Sequence, residues 1–84
     1  MTLTIQVLAF AQLADELGWR RQAVTLDLDP PTVRAALDVV AGDHAAVAAM
    51  REHLAVAVND RYVTSDHELT DGDEVALIPP VSGG

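Results

Sequence analysis

Cysteine and lysine are both absent from these 84 residues, and only three side chains are aromatic. Without cysteine there is no disulfide framework, no thiolate metal site and no thiol nucleophile. Without lysine no side-chain amine exists to receive an activated carboxyl group, so chains of copies joined through lysine are excluded. All five basic residues are arginines, part of a composition biased toward Arg, Ala, Val and Asp. With one Trp, one Tyr and one Phe, the core must be aliphatic. Long hydrophobic runs are missing too, and those present are far too short to cross a bilayer. The opening Met1-Thr2-Leu3-Thr4 lacks the basic flank and long apolar stretch of a signal peptide, so a cytoplasmic protein is expected. Positive charge is scarce: thirteen acidic residues face five basic ones, a net charge of −8. That argues against nucleic acid and against an anionic membrane as partners. It favours docking onto a basic protein surface.

A chain of this length forms one domain and buries roughly 60–65% of its unfolded surface. Residues Leu3 to Phe10 alternate as a half-buried strand, with Leu3, Ile5 and Val7 on one face. Ala11 to Leu17 changes to helical spacing, and Gly18 stands where a helix end takes a left-handed residue. Residues Gln22 to Leu28 alternate again and are expected to pair antiparallel with the first strand. Asp29-Pro30-Pro31 ends that strand. Thr32 is a natural N-cap for the main helix, whose stripe is Val33, Ala36, Leu37, Val40 and Ala41. Gly42 is expected to end it, and Asp43 to cap a shorter helix with Ala46, Val47 and Met50 inward. Leu54 to Asn59 is an apolar run of strand length that reads as a central buried strand. Asn59-Asp60 turns the chain into a short return strand, Arg61 to Thr64. Asp71-Gly72-Asp73 is a second turn, launching a last strand, Glu74 to Ile78, that stops at Pro79-Pro80. The fold class is α+β: a mixed sheet with one main helix and a short second helix.

The side chains offer little chemistry. His44, His53 and His67 lie on separate elements with no zinc-binding interval. Asp71-Gly72-Asp73 lacks the remaining ligands of a calcium loop and reads as a β-turn. Ser65-Asp66-His67 holds the residue types of a hydrolase triad, but consecutive residues cannot take up its geometry. No glycine-rich phosphate loop is present.

The carboxyl end is different. Pro79-Pro80-Val81-Ser82-Gly83-Gly84 follows a strand expected to be central, and the two prolines stiffen the exit. Six residues can extend to roughly 20 Å. Gly83 and Gly84 lack Cβ and can thread a channel closed to other residue types. A frayed terminus also explains terminal glycines taken alone. In this context the arrangement suits a carrier whose carboxylate enters partner active sites in turn. A carboxylate must first be activated, most simply as an acyl-adenylate, before sulfide can displace the nucleotide and leave a thiocarboxylate. With no nucleotide site discernible here, the ATP chemistry is expected to belong to a partner.

Four segments, VLAFAQLADELG at 7–18, PTVRAAL at 31–37, AVN at 57–59 and LTDGDEVALIPPVSGG at 69–84, carry a resemblance to a known family. The chain resembles the small subunit of molybdopterin synthase, a ubiquitin-like sulfur carrier of the β-grasp fold. The resemblance covers essentially the whole chain, and its last segment is the most specific. It implies a β-grasp domain over residues 1–78 with the first and last strands parallel and adjacent, and an extended sulfur-carrying tail over 79–84. It implies that an E1-like adenylyltransferase activates Gly84 with ATP, that a sulfur donor protein supplies the sulfur, and that the thiocarboxylate enters a pocket of the large synthase subunit. There the sulfur passes to cyclic pyranopterin monophosphate in molybdenum cofactor biosynthesis, within a heterotetramer of two small and two large subunits. By position, Gly83, Ser82, Val81, Pro80 and Pro79 form the inserted tail, and Phe10, Tyr62 and Ile78 fall at the subunit interface. The family often carries an aromatic residue where Ile78 stands, and more commonly threonine where Ser82 stands. The chain would bind no cofactor or metal itself, and would act as a non-catalytic subunit.

Other readings remain open at this stage: a carrier for thiamin or cysteine synthesis or for tRNA thiolation, a ubiquitin-like modifier joined to target lysines, or a structural β-grasp module. The second helical segment over 43–52 and the Pro-Pro-Val-Ser-Gly-Gly ending favour the molybdopterin branch over the thiamin one.

Overall fold

The computed structural model describes residues 1–80. Five strands form one mixed sheet: β1 (Thr2–Ala9), β2 (Arg21–Asp27), β3 (Ala55–Val58), β4 (Arg61–Val63) and β5 (Glu74–Ile78), in the order β2-β1-β5-β3-β4. Helices α1 (Ala11–Leu17), α2 (Val33–Asp43) and α3 (Ala45–Met50) follow their strands, and a 3-10 turn (Arg51–His53) leads into β3. β1 and β2 pair antiparallel, β1 and β5 parallel, and β5 with β3 and β3 with β4 antiparallel. This is the expected β-grasp arrangement, with the first and last strands side by side inside the sheet.

Alternation sets the layers. Leu3, Ile5, Val7 and Ala9 of β1, and Val75 and Leu77 of β5, are buried on one face. Val33, Ala36, Leu37 and Val40 of α2, Leu13 of α1 and Val47 of α3 join them in a single core. Ile5, Leu13 and Leu77 are almost completely enclosed, and burial of each such side chain stabilises the fold by about 1.5–3 kcal/mol.

Every first-turn donor of α2 is satisfied. Ala35 N–H donates to the Thr32 hydroxyl at 3.2 Å and Ala36 N–H to the Thr32 carbonyl at 3.0 Å. Val33 and Arg34 N–H donate to the His67 and Ser65 carbonyls at 2.9 and 2.8 Å. The segment between β4 and β5 is thereby pinned across the start of the helix.

The α2–α3 junction departs from expectation. Gly42 does not end α2; the helix continues through Asp43. A glycine costs about 1 kcal/mol in a helix interior, less than the packing of Val40 and Val47 supplies on either side. Nor does Asp43 cap α3. His44 is C-cap of α2 and N-cap of α3 at once: its N–H donates to the Val40 carbonyl, and its own carbonyl accepts from Val47 and Ala48 N–H. The His44 ring meets Trp19 edge-on, with centroids 5.6 Å apart. The apolar run at 54–59 yields a strand that starts at Ala55 and lies one place in from the β4 edge. Leu54 precedes it.

Candidate functional site

Where β5 ends, Ile78 is half-buried, Pro79 is buried and Pro80 is exposed. Among the described residues the chain makes its last burial at Pro79 and is exposed at Pro80, following a strand that lies between β1 and β3 in the interior of the sheet. Val81, Ser82, Gly83 and Gly84 lie outside the described residues.

The face of the sheet turned away from the helices explains what surrounds that exit. The register places Leu8 opposite Ala76, Ala76 opposite Ala57, and Ala57 opposite Tyr62. These four residues make one apolar row across β1, β5, β3 and β4. A second row lies one strand step pair nearer the exit. Ile78 is opposite Ala55, and the Ala9–Leu77 pairing brings Phe10, still extended at φ −130°, level with Ile78. Phe10 is 46% exposed and Tyr62 74% exposed, unusual for the only Phe and Tyr of the chain. Ala57 is buried although it lies outside the core cluster; on this outer face it stands between Ala76 and Tyr62. Large side chains at both ends and alanines between them make a shallow trough, the form of a docking surface with apolar anchors.

Local geometry holds Phe10 there. Ala11 begins α1 with φ +52°, a left-handed conformation that costs a non-glycine residue about 1–2 kcal/mol. The kink turns the chain from β1 directly into α1 and leaves Phe10 at the rim. At the other end of this face the residues turn polar. Thr4 and Thr25 share a hydroxyl hydrogen bond there at 2.9 Å, while Arg21, opposite Leu8 at the margin of the first row, bridges over β1 to Glu74 at 3.2 Å.

The start of β5 is tied down by the buried carboxylate of Asp73. It accepts from Thr70 N–H at 2.8 Å, the Thr70 hydroxyl at 3.0 Å and the Asn59 amide at 2.9 Å. Burial pushes this carboxyl up, but the Thr70 and Asn59 hydrogen bonds and nearby His67 outweigh it and hold the group below its ordinary value. Asn59 also accepts from Glu74 N–H at 3.0 Å. Gly72 takes φ +90°, and its N–H donates to the Thr4 carbonyl at 2.8 Å. These bonds fix the register of β5 between its neighbours, and with it the point where the chain leaves the body.

Of the residues singled out from sequence, Phe10, Tyr62, Ile78, Pro79 and Pro80 come to one face and one edge. Leu8, Ala55, Ala57 and Ala76 belong to the same face and were not anticipated. Their signal was the apolar residue at the nominally polar positions of strands β1, β3 and β5, which an alternation rule alone reads as burial. Among the described residues no cluster of His, Asp and Glu could hold a metal ion. No described helix is long and apolar enough to cross a membrane.

The ThiS family model matches residues 7–84. The molybdopterin synthase sulfur carrier subunit of Escherichia coli is 45% identical over 82 residues, covering 95% of this chain and 99% of that one. Small archaeal modifier protein 1 of Haloferax volcanii is 37% identical over 83 residues, covering 89% and 94%. Among solved structures, a putative molybdopterin converting factor subunit 1 from Pyrococcus furiosus superposes with a TM-score of 0.81 at 28% identity, covering 94% of this chain and 99% of that one. With a β-grasp sheet, a buried Pro79 and exposed Pro80 following its interior strand and likeness over nearly its whole length, the chain belongs to the ThiS family, among the ubiquitin-like molybdopterin synthase sulfur carriers.

Proposed function

We propose that this chain carries sulfur as a thiocarboxylate on Gly84, at the end of an arm formed by residues 79–84, and delivers it to cyclic pyranopterin monophosphate within a molybdopterin synthase. The observation that carries the reading is the exit. Pro79 is buried and Pro80 exposed at the edge of an apolar face bearing Phe10, Ile78 and Tyr62. A partner seated on that face would receive the arm directly into its own pocket. The 45% identity to a sulfur carrier subunit over nearly the whole chain supports the same assignment.

The chemistry follows from the group involved. Oxide is a poor leaving group, so an E1-like adenylyltransferase joins the Gly84 carboxylate to AMP and releases pyrophosphate. A sulfur donor protein then supplies sulfur at the sulfide level, which displaces AMP and leaves the thiocarboxylate. Its sulfur attacks a carbon of the pterin precursor, where a C–O bond breaks and the oxygen substituent leaves; water then cleaves the acyl C–S bond of the resulting thioester, which leaves the sulfur on the pterin and returns the carboxylate for another cycle. The partners do the catalysis, with ATP bound by the activating enzyme. The large synthase subunit covers the open face in a complex of two small and two large subunits in the cytoplasm.

Intact-mass measurement after incubation with ATP, a sulfide source and the cognate activating enzyme tests this. The expected product gains the mass of one oxygen-to-sulfur exchange at the C-terminus. An unchanged mass under conditions that load a known carrier refutes the proposal. A second reading, attachment to target proteins, is favoured by the 37% identity to a small archaeal modifier. Ladders of conjugates on denaturing gels, lost with Gly84 removed, would select it.

A further inference from the structure

A groove of about 420 Å³ between α2 and the outer edge of β4 adjoins the apolar face at Ala55 and Tyr62 and runs away from the exit. Its floor is apolar, with Val33, Leu37, Val56 and Val63, and Arg34, Arg51 and Glu52 stand around it. Two of the five basic residues of a chain with net charge −8 thus converge on one groove. They are not equally occupied. Arg51 pairs with Asp38 and donates to the Arg34 carbonyl at 3.4 Å. Arg34 donates to the Ser65 hydroxyl at 2.9 Å, and among the described residues it has no carboxylate within ion-pairing distance. A guanidinium offers five donors in a fork that matches a carboxylate; Ser65 engages one of them and steadies the rest over the groove.

The strand edge adds a main-chain component. Asn59 and Asp60 take φ +51° and +72°, a two-residue turn in which the flanking Val58 and Arg61 exchange the ladder bonds. The next pair, Ala57 and Tyr62, is then non-bonded. Tyr62 N–H and C=O therefore point away from β3, along the open edge beside the groove.

We propose that this groove binds an extended acidic segment of a partner protein, one that places an aliphatic side chain on the Val56–Val63 floor and an Asp or Glu on Arg34. Main-chain pairing to Tyr62 sets its direction. The charges decide the chemistry. Asp38 already neutralises Arg51, and Glu52 repels an acid from its own end of the rim, so the carboxylate must lie toward Arg34 and Ser65. A basic segment would meet an uncompensated guanidinium. The proposal is independent of sulfur carriage, since neither Gly84 nor the arm takes part.

Panning a phage library of random eight-residue peptides against the intact protein tests it, followed by titration of the enriched peptides while backbone amides are observed by NMR. The expected peptides combine aliphatic residues with Asp or Glu, shift the amides of Tyr62, Val63, Ser65 and Arg34, and bind at least tenfold more weakly to Arg34→Gln. Arg20→Gln, which removes the same charge elsewhere, should bind them unchanged. An unaltered melting temperature for Arg34→Gln separates lost binding from lost folding. The proposal fails if no peptide is enriched, if enriched peptides lack acidic residues, if Arg34→Gln retains them, or if the shifted amides centre on Leu8, Phe10, Ala76 and Ile78 and spare Val63, Ser65 and Arg34.

Discussion

Ala9 and Leu77 face each other across parallel strands, and this pairing brings Phe10 and Ile78 to the same level on the outer side of the sheet. One strand step beyond Ile78 the chain is still buried, at Pro79; at Pro80 it is exposed. An exposed aromatic ring, a half-buried aliphatic side chain and the departing backbone thus occupy one corner of the molecule. The corner ties the proposed docking surface to the proposed reactive end, because both depend on how β5 is seated.

Phe10→Asp is therefore expected to fold as the parent does and to dock poorly. The ring is nearly half exposed, so its removal leaves little cavity. A charge at an apolar anchor should weaken association with the large subunit at least tenfold, about 1.4 kcal/mol. Calorimetric titration checks the affinity and thermal melting the fold. An equally tight complex would remove Phe10 from the interface.

Ala76→Glu examines the part of that face that the sequence did not reveal. Ala76 stands between Leu8 and Ala57 in the trough, so a longer charged side chain fills the depression without entering the core. Docking should fall at least as far as with Phe10→Asp, while the melting temperature stays within a few degrees of the parent.

The element order, the α2 stripe and the turns at Asn59-Asp60 and Asp71-Gly72 were legible in the sequence, because each rests on a local period or a local backbone requirement. Phe10, Tyr62 and Ile78 were singled out by family resemblance, and the strand pairing brings them to one face. Ala55, Ala57 and Ala76 did not emerge, since an alanine says nothing about which face it occupies until the pairing of distant strands is known. Gly42 misled for a related reason. Glycine frequently stops a helix, but here the contacts of Val40 and Val47 with the core, set by tertiary packing, carry the helix past it.

Gly42→Ala and Ala11→Gly are opposite exchanges that should both stabilise the fold. A Cβ at Gly42 meets nothing within 4 Å, and no positive φ opposes it, so alanine there should add about 0.5–1 kcal/mol. Ala11 sits at φ +52°, where glycine relieves strain and is expected to raise stability by up to about 1 kcal/mol. Urea denaturation of each variant measures the change; destabilisation by either exchange contradicts its local argument.

Asp73 should make stability fall in acid. Its folded value is lower than the ordinary 3.8, so the native state binds this proton less readily than the unfolded chain. The contribution is complete above the ordinary value and disappears as pH falls through the lowered one. Asp73→Ala, which leaves the Thr70 and Asn59 donors unpaired, should cost about 1–3 kcal/mol at neutral pH. Its denaturation midpoint should change less between pH 5 and pH 2 than the parent's, which urea melts across that range would record.

Adding a single residue after Gly84 is expected to abolish loading with sulfur while leaving the melting temperature unchanged, since among the described residues the core cluster ends at Leu77. Loading can be followed by intact mass. A lengthened protein that still gained the sulfur would show that the terminal carboxylate is not the acceptor.

The neighbour relation between β1 and β5 also bears on biosynthesis. β1 is the first strand to leave the ribosome and β5 the last, yet they meet in the interior of the sheet. A nascent chain released early lacks the strand that joins β2-β1 to β3-β4, and contacts this distant in sequence form late. Prematurely terminated copies would thus stay unfolded and open to proteolysis, and would not compete with full-length carrier for its partners.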